Sequence, residues 1–358
     1  MKFSVILPVY NRESCVAKSI LSVSGQSFDD WELVIVNDGS IDGSLRICKE
    51  IARNESRITV IDQENKGVSA ARNAGICASN GDYILFLDSD DVMAEGLMAS
   101  LADTIKKFNE PDIIAGGFGA ASGETWIPDE TICGKLHDKT YIDEYILPEH
   151  INVHPQTKYF LQPFVWNKCF KRSLIFNSGI SFDERRRTWE DNGFLVSCLS
   201  EANEILISDN VFIIMGDSGN NDHLSASCTP NMLFGYIKSY EEYTQQFGNR
   251  YEFNNKYTNT RYYTFTCNIL SQLNTQMGQN GDCEFDRILD RIFNNSDVEL
   301  WFKNAKTNGL NNALIRFAFS IKNKALLKKL LKKREKLSIR IRIFLSRIKR
   351  KLLKFIKI

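Results

Sequence analysis

Residues 81–91 read GDYILFLDSDD, a run of large, mostly apolar side chains that ends in a cluster of aspartates. Its uninterrupted apolar part, Tyr83–Leu87, predicts a buried strand. Similar runs precede it at Phe3–Val9, Trp31–Val36 and Arg57–Ile61. Segments with helical periodicity lie at Cys15–Val23, Ser44–Arg53, Val68–Ala78 and Leu97–Phe108. Apolar strands that alternate with helices predict an α/β, Rossmann-like fold, with a mostly parallel sheet covered by helices on both faces.

Polar residues follow three of these strands at the points where the strands end. The first strand runs into Tyr10-Asn11, the second into Asn37-Asp38, and the fourth into Asp88-Ser89-Asp90. The carboxyl ends of parallel strands meet at one edge of a sheet, and ligands bind in the crevice there. The pattern therefore predicts a binding site built from these three clusters.

The aspartate cluster has two interpretations. Carboxylates at positions i and i+2 after a buried strand can converge on one divalent cation, with room for water and phosphate oxygens. The same acids can instead cap the next helix, because aspartate is a favoured N-cap residue. Taken alone, the cluster favours the cap, since short motifs often match by chance. Asp38 is similarly ambiguous: it can accept a hydrogen bond from uracil or ribose, but Asn37-Asp38-Gly39 is also an ordinary turn.

Several classes of protein are excluded by what the sequence lacks. It has no G-x-x-x-x-G-K-[ST] phosphate loop, and Tyr10 and Asn11 stand where a dinucleotide-binding protein would carry glycines. The nine cysteines are scattered, with no C-x-x-C pair, which argues against a zinc ribbon and for a reducing compartment. Because neither a leader-peptide pattern nor an apolar run of about 18 residues is present, we expect a cytoplasmic protein.

Four segments closely resemble glycosyltransferase family 2, whose members have the GT-A fold. They are VILPVYN at 5–11, VIVNDGS at 34–40, NKGVSAARN at 65–73 and GDYILFLDSDD at 81–91. Their order and spacing are far more specific than any one of them. The resemblance extends over about residues 1–225 and implies a transferase that uses a nucleotide-sugar donor.

The resemblance also implies roles for individual residues on the donor side. Pro8, Tyr10 and Asp38 resemble the pocket for the nucleotide base. Lys66 and Arg72 resemble groups near the base or the diphosphate.

For the rest of the donor, the resemblance assigns Asp88 to the ribose and Asp90 to a Mn²⁺ or Mg²⁺ ion on the diphosphate. His223 lies where a histidine of GT-A enzymes can reach the metal or the diphosphate. A histidine in a solvent-exposed loop is an equally good interpretation, because Gly219-Asn220-Asn221 indicates a turn.

On the acceptor side, Trp189-Glu190-Asp191 resembles the Glu-Asp pair whose second member is the catalytic base of inverting family members. Trp166-Asn167-Lys168 resembles a segment near the acceptor. By itself, Glu190-Asp191 is typical of a helix N-terminus. The order of the motifs favours Asp191 as the base, which would take a proton from the attacking hydroxyl.

These features predict an inverting, metal-dependent glycosyltransferase. The Gln-x-x-Arg-Trp signature of processive synthases is absent, so we expect transfer of a single sugar, from a UDP-linked donor. The expected acceptor is a lipid-linked precursor of O-antigen, capsule or lipo-oligosaccharide. The alternative is a protein that binds the nucleotide sugar without turnover, or a membrane scaffold.

The charge is distributed unevenly along the chain. Residues 316–358 contain 17 of the 45 lysines and arginines and a single acid, Glu335, so this segment carries +16 and residues 1–315 carry −15. Most apolar residues of the segment fall on one side of a helical projection, whereas Ile339, Ile343 and Leu353 do not: Leu337, Ile341, Phe344, Leu345, Ile348, Leu352, Phe355 and Ile356. A basic helix with an apolar stripe predicts binding to an anionic membrane surface.

A nucleic-acid arm and docking on the acidic body are the rivals for this segment, and the apolar stripe argues against nucleic acid. We therefore expect no nucleic-acid partner, and a peripheral location on the inner face of the cytoplasmic membrane. The sequence divides into a GT-A domain at 1–225, a helical region at 226–315 and a basic amphipathic tail at 316–358.

Overall fold

The computed structural model describes residues 1–153, 161–186, 188–216, 229–277, 282–307 and 310–334. The chain divides into two compact units, residues 1–223 and residues 224–358. The first is a mixed α/β unit and the second is helical.

The first unit begins with the predicted alternation of strands and helices. Up to residue 107 its elements are β1 (Phe3–Val9), α1 (Val16–Ser24), β2 (Trp31–Asp38), α2 (Ser44–Ala52), β3 (Ile58–Gln63), α3 (Val68–Ala78), β4 (Tyr83–Phe86), β5 (Val92–Met93) and α4 (Leu97–Lys107). Each predicted strand and helix is confirmed, with its ends within two residues of the prediction.

The second half of this unit is less regular. Its elements are β6 (Ile113–Ala120), β7 (Thr125–Trp126), β8 (Lys135–Asp138), α5 (Lys139–Tyr141), a π-helical turn (Ile142–Ile146), α6 (Leu147–His150), β9 (Lys168–Lys171), α7 (Arg172–Asn177), α8 (Glu190–Glu201) and β10 (Glu204–Met215).

One sheet runs through the unit in the order β3-β2-β1-β4-β9-β6-β10-β5, with β7 paired to β6 and β8 to β10. The strands β1 to β4 are parallel to one another, and β6 is parallel to β10. Because β9 lies antiparallel between β4 and β6, these two groups point the same way. The predicted mostly parallel sheet is confirmed, with β9 as an inserted strand of opposite direction.

Helices cover both faces of the parallel strands. On β1, Val5, Leu7 and Val9 pack with the apolar side of α1 in the larger core cluster. On β2, Val34 and Val36 point the other way and pack with Ala71 of α3. Since successive side chains of a strand point to opposite faces, the uninterrupted apolar runs of the sequence are explained by burial on both sides.

Gly75 lets α3 lie directly against the sheet. A Cβ atom added at Gly75 would overlap the side chain of Ile6 on β1. Because α3 continues from Val68 to Ala78 through this contact, the glycine is required by close helix–sheet packing and not by a turn.

We expect Gly75→Val to lower the free energy of unfolding by about 1–3 kcal/mol, because overpacked cores must displace side chains or backbone. Cys77→Val is the matched control, since Cys77 is exposed on the same helix. Urea unfolding of both variants measures the difference. Equal stabilities of the two variants would contradict the close approach of α3 to β1.

The second unit contains α9 (Pro230–Phe247), α10 (Lys256–Met277), α11 (Asp282–Phe293), α12 (Ser296–Asn304), α13 (Leu310–Ser320) and α14 (324–334). Its core is rich in aromatic rings. Tyr262 packs against Tyr236, Tyr240 and Trp301, with centroid distances of 4.5, 4.8 and 4.7 Å. This confirms the predicted helical region after the α/β unit.

The beginning of the predicted basic tail is folded into this helical unit. Phe319 of α13 is buried, as are Leu327 and Leu331 of α14. The remainder of the tail, 335–358, lies outside the described residues, as do the positions of the apolar stripe predicted there. Among the described helices, none has the length and apolar character needed to cross a membrane.

Candidate active site

The loops after β1 and β2 are joined by hydrogen bonds. The side-chain oxygen of Asn11 accepts from the N–H of Ile41 at 2.9 Å, and the N–H of Asn11 donates to the Ser40 hydroxyl at 3.0 Å. Asn11 has a left-handed backbone, with φ of 51°, which asparagine adopts more readily than most residues. The turn leaves Tyr10 46% exposed at the carboxyl edge of the sheet.

The other residues predicted for the base pocket lie along the same edge. Pro8 is buried within β1 and pairs with Val36 of β2. Asp38, the last residue of β2, is buried, whereas the side chain of Lys66 is exposed. The structure thus brings Pro8, Tyr10 and Asp38 to neighbouring ends of β1 and β2.

The Asp38 carboxylate holds the loop that leads into α3. Its Oδ1 accepts from the side chain of Gln63 at 2.8 Å and from the N–H of Lys66 at 2.9 Å. Its Oδ2 accepts from the N–H of Gly67 at 2.8 Å. Since a carboxylate has about four acceptor positions, this structural role leaves one position on Oδ2 for a ligand.

Arg72 of α3 connects the predicted donor side with the predicted acceptor side. One terminal nitrogen donates to Asp88 at 3.0 Å, and the other donates to Asp191 at 2.6 Å. Glu190 lies 3.6 Å from the second nitrogen. The Arg72 side chain is only 4% exposed. One buried guanidinium therefore joins β4, α3 and α8.

The turn into α8 has an unusual backbone. Trp189, just before the helix, has a left-handed conformation with φ of 64°, which costs about 1 kcal/mol or more in a bulky residue. The next residues, Glu190 and Asp191, form the first turn of α8, where acids are favoured by the helix dipole. Glu190 and Asp191 thus begin a helix, as their sequence indicates, and this position also places Asp191 in contact with Arg72.

An aromatic cluster packs beside the Arg72 guanidinium. Its central carbon lies 5.3 Å from the ring centroid of Phe182. Phe182 stacks on Phe194 at 4.1 Å, and Phe86 contacts both rings edge to face. All three rings are buried. They keep water from this side of the cation, which strengthens its ion pairs.

The protonation of the cluster follows from these contacts. Burial alone lowers the pKa of Arg72, but Asp191, Asp88 and Glu190 outweigh it and raise that pKa. Burial also raises the pKa of Asp191. The Arg72 cation lowers this pKa, whereas the negative charges of Glu190 and Asp88 raise it further, and the result is a pKa of about 7. A carboxyl group that titrates near neutral pH is suited to take up a proton during a reaction.

Asp90 pairs with an arginine that no motif of the sequence assigns. The Nε of Arg12 lies 3.7 Å from Oδ2 of Asp90, whose side chain is 19% exposed. Arg12 is held in the loop after β1, where its N–H donates to the Ser44 hydroxyl at 2.7 Å. The only sequence signal for Arg12 is its position directly after Tyr10-Asn11 at the predicted binding edge.

The carboxylates after β4 fit a hard divalent cation. Asp88 is 31% exposed and Asp90 is 19% exposed, so both reach the surface of the crevice. In the described part of the chain, no group of three or more His, Cys, Asp or Glu side chains is placed to hold a metal ion. A pair suffices for Mg²⁺-type ions at nucleotide sites, because substrate phosphates and water complete the coordination.

Comparison with known proteins relates the first part of the chain to a protein family. The model of Glycosyl transferase family 2 matches residues 4–163, which include the strands β1 to β4 and both Asp88 and Asp90. Residues 4–163 are therefore similar to family 2 glycosyltransferases. Its fold is similar to that of Staphylococcus aureus TarS 1–349 in complex with UDP-GlcNAc, with a TM-score of 0.64 and 18% identity over 94% of this chain and 92% of TarS 1–349. At this identity the likeness shows the GT-A fold alone.

Curated relatives match about three fifths of this chain. An uncharacterized glycosyltransferase of Bacillus subtilis, EpsJ, is 32% identical over 220 residues, which are 61% of this chain and 62% of EpsJ. The poly(ribitol-phosphate) beta-glucosyltransferase of Bacillus spizizenii is 27% identical over 237 residues, 64% of this chain and 34% of that protein. The chain thus spans less than two thirds of the length of these relatives.

A buried aspartate holds the chain at the end of β10, a few residues before the predicted histidine. Asp91 is buried after β4, and its Oδ1 accepts from the N–H of Gly216 at 3.0 Å, which fixes the chain just beyond β10. His223, predicted to reach the metal, lies outside the described residues. Its role stays a prediction.

Lys168 is a fully buried lysine close to Asp191. Its Nζ donates to the carbonyls of Gln162 and Phe164 at 2.7 and 2.6 Å and to the Asn167 side chain at 2.8 Å. Burial lowers the pKa of Lys168 to about 7, although Asp191 acts in the opposite direction. The lysine thereby fixes the segment before β9, whose Val165 N–H donates to Asp191 at 3.4 Å.

Replacing Lys168 by methionine should lower the free energy of unfolding by about 3 kcal/mol or more, because each buried acceptor left without a donor costs about 1–3 kcal/mol. Lys171→Met on the same strand is the control. Lys171 pairs with the exposed Glu110 at 3.1 Å, so its loss should cost less than about 1 kcal/mol. Denaturant unfolding of the two variants gives the comparison, and equal losses would show that the three contacts of Lys168 contribute nothing.

Proposed function

We propose that this protein is an inverting glycosyltransferase that transfers a single sugar from a UDP-linked donor to a surface-glycan precursor. The observation that carries the proposal is the Arg72 guanidinium, which holds Asp88 on the donor side and Asp191 on the acceptor side. The family 2 domain supports a nucleotide-sugar donor, and the fold it shares with a UDP-GlcNAc complex is consistent with UDP.

The donor would bind along the carboxyl ends of β1, β2 and β4. Tyr10 offers an exposed ring on which the base can stack. Oδ2 of Asp38 keeps an acceptor position for the N–H of uracil, and Asp88 is exposed for the ribose. Lys66, exposed at the start of α3, would add positive charge near the diphosphate.

Asp90 is the residue that we propose for a Mn²⁺ or Mg²⁺ ion, with Asp88 as its neighbour. Such an ion supplies charge neutralisation for the diphosphate as it leaves. Arg12, 3.7 Å from Asp90, is a cation at the same place and would contact the phosphates directly. These residues together keep the diphosphate end of the donor in a fixed position.

The transfer we propose is a single displacement. The acceptor hydroxyl oxygen attacks the anomeric carbon while the bond from that carbon to the diphosphate oxygen breaks, and the bonding electrons leave with the diphosphate. The hydroxyl proton passes to the Asp191 carboxylate, whose raised pKa suits it to accept the proton near neutral pH. Attack from the side opposite the leaving group inverts the anomeric centre. Arg72 orients Asp191 through the 2.6 Å contact.

We propose a lipid-linked acceptor of the O-antigen, capsule or lipo-oligosaccharide type, processed at the inner face of the cytoplasmic membrane. The relatives include a protein named as a poly(ribitol-phosphate) glucosyltransferase, which supports a surface polymer. The +16 charge of residues 316–358 supports a role of this segment in holding the enzyme at an anionic membrane.

Thermal unfolding with nucleotides tests the donor site. We expect UDP with Mn²⁺ to raise the unfolding temperature. A ligand that binds only the native state, at a hundredfold excess over its dissociation constant, adds about 2.7 kcal/mol to the free energy of unfolding. The rise should need Mn²⁺ and should vanish in Asp90→Ala.

The control variant for this test is Asp103→Asn, because Asp103 is an exposed acid on α4. It should behave as the wild type does. If the unfolding temperature rises with GDP and not with UDP, the donor is a GDP-linked sugar. If it rises with none of UDP, GDP, CMP and ADP, the transferase proposal is excluded. Release of UDP from a UDP-sugar, lost in Asp90→Ala, would exclude a protein that binds without turnover.

A further inference from the structure

The helix α13 is apolar on two sides. Its inner side packs in the helical unit through Ile315, Ala318 and Phe319, which are all buried. On the outer side, Leu314, Phe317 and the following residue Ile321 are 37%, 55% and 50% exposed. The spacing of three and four residues places these three on one face of a helix. This outer stripe (Leu314, Phe317, Ile321) has no polar side chain among its members, which is typical of an interaction surface.

The next helix, α14, carries lysines on two sides. On one side, Lys324 pairs with Asp290 at 2.7 Å and Lys328 pairs with Asp286 at 3.0 Å, so both are turned toward acids of α11. A second set, the lysine face, consists of Lys329, Lys332 and Lys333, which are exposed. The lysine face lies on one side of the helix, because its members are three and four residues apart.

The two helices form an antiparallel hairpin. Arg334, the last described residue of α14, donates to the side-chain oxygen of Asn312 near the start of α13 at 2.5 Å. At the turn, the N–H of Asn323 donates to the carbonyl of Ala318 at 3.0 Å, and the Asn323 side chain caps α14 through the N–H of Leu326. The outer stripe and the lysine face therefore belong to one folded element.

We propose that this hairpin is a membrane-binding surface, in which the outer stripe enters the boundary between headgroups and acyl chains and the lysine face contacts anionic phospholipid headgroups. The inference rests on the proposed membrane association of residues 316–358 and assigns it a surface within the folded unit. Apolar burial and attraction to anionic lipid add together at such surfaces.

Charge decides between a lipid surface and other occupants of the hairpin. A second copy of this chain would bring another lysine face toward the first, and the two would repel. The segment 335–358 of the same chain carries nine lysines and arginines and one acid, so its charge opposes docking beside the lysine face. An anionic membrane attracts both the lysine face and this segment, and it also removes the outer stripe from water.

Vesicle binding by the full chain tests the inference. The probe is sedimentation with phosphatidylglycerol–phosphatidylcholine vesicles, compared with vesicles of phosphatidylcholine alone. We expect Leu314→Ser/Phe317→Ser to weaken binding at least about tenfold, because several buried methylene equivalents are lost. The charge reversals Lys329→Glu/Lys332→Glu should weaken it at low salt and less so at high salt, where charges are screened. Tyr257→Ser, an exposed residue of α10 in the same unit, should bind as the wild type does.

Two further readouts separate the outcomes. The UDP-dependent rise in unfolding temperature should be unchanged in the stripe variant, and this result also shows that the variant is folded. If the wild type shows no such rise, the transferase proposal fails, but the hairpin inference still stands. Wild-type vesicle binding by the stripe variant would overturn the inference. The inference would also be overturned if the stripe substitutions abolished a dimer and left vesicle binding unchanged. The same holds if the lysine substitutions abolished binding to duplex DNA and left vesicle binding unchanged.

Discussion

Asp191→Asn should lower the rate of UDP release from a UDP-sugar by about 10²–10⁴, the usual contribution of a general base. Asparagine keeps the shape of the side chain and can still contact Arg72, but it cannot take up the proton of the attacking hydroxyl. UDP affinity should change by less than about twofold, because the lost interaction is made only in the transition state. Initial rates with UDP-glucose and UDP-GlcNAc, together with UDP titrations, measure both quantities.

Glu190→Gln is the matched control for this variant. Glu190 precedes Asp191 on the same turn of α8 and lies 3.6 Å from Arg72, so the substitution removes a charge from the same cluster. It should lower the rate far less than Asp191→Asn does. A larger effect of Glu190→Gln would assign the base to Glu190.

The dependence of the wild-type rate on pH gives a second check of Asp191. The proposed base, Asp191, would work in its deprotonated form, and its pKa is raised to about 7. The rate should therefore rise about tenfold per pH unit below pH 7 and level off above it. The acid limb should be absent from the residual activity of Asp191→Asn.

Arg72→Met should reduce the free energy of unfolding by about 3–5 kcal/mol, the usual loss when one partner of a buried ion pair is removed. The Arg72 side chain is 4% exposed and pairs with both Asp88 and Asp191, so the substitution leaves a half-buried and a largely buried carboxylate without their cation. Methionine roughly fills the space, so the loss reports charge more than volume. Equilibrium unfolding in urea measures it.

The control for Arg72→Met is Arg46→Met, which breaks the exposed pair of Arg46 with Glu50 on α2. These side chains are 67% and 51% exposed, and such pairs contribute less than about 1 kcal/mol. Adding Asp88→Asn to Arg72→Met should restore part of the lost stability, because it removes one uncompensated charge. If Arg72→Met and Arg46→Met had equal effects, the buried cluster would not hold the fold together.

The first half of the fold could be predicted from the sequence because its signals are local. Strands β1 to β4 are uninterrupted apolar runs, and each helix between them has its own periodicity and turn residues. The inserted strand β9 could not be predicted in this way. Its residues, Lys168–Lys171, read KCFK, and four residues with a lysine at each end carry no strand pattern.

The members of the candidate site could be named from motifs, but their connections could not. Arg72 and Asp191 are 119 positions apart, and no local pattern joins them. Lysine is rarely buried completely, so nothing in the segment 166–168 indicates that Lys168 holds the backbone of residues 162 and 164. Likewise, the pairing of Arg12 with Asp90 depends on the approach of two loops across the sheet edge.

The strand order has a consequence for how the protein is made. Strands β1 to β4 all lie within the first 86 residues, so this half of the sheet can assemble early, while the remainder is still on the ribosome. The antiparallel strand β9 must then add to the open edge of β4, and α8 emerges later still. Contacts over long sequence separations form slowly. We expect β1 to β4 to be in place first and the Arg72–Asp191 contact to close only after β9 has joined the sheet and α8 has emerged.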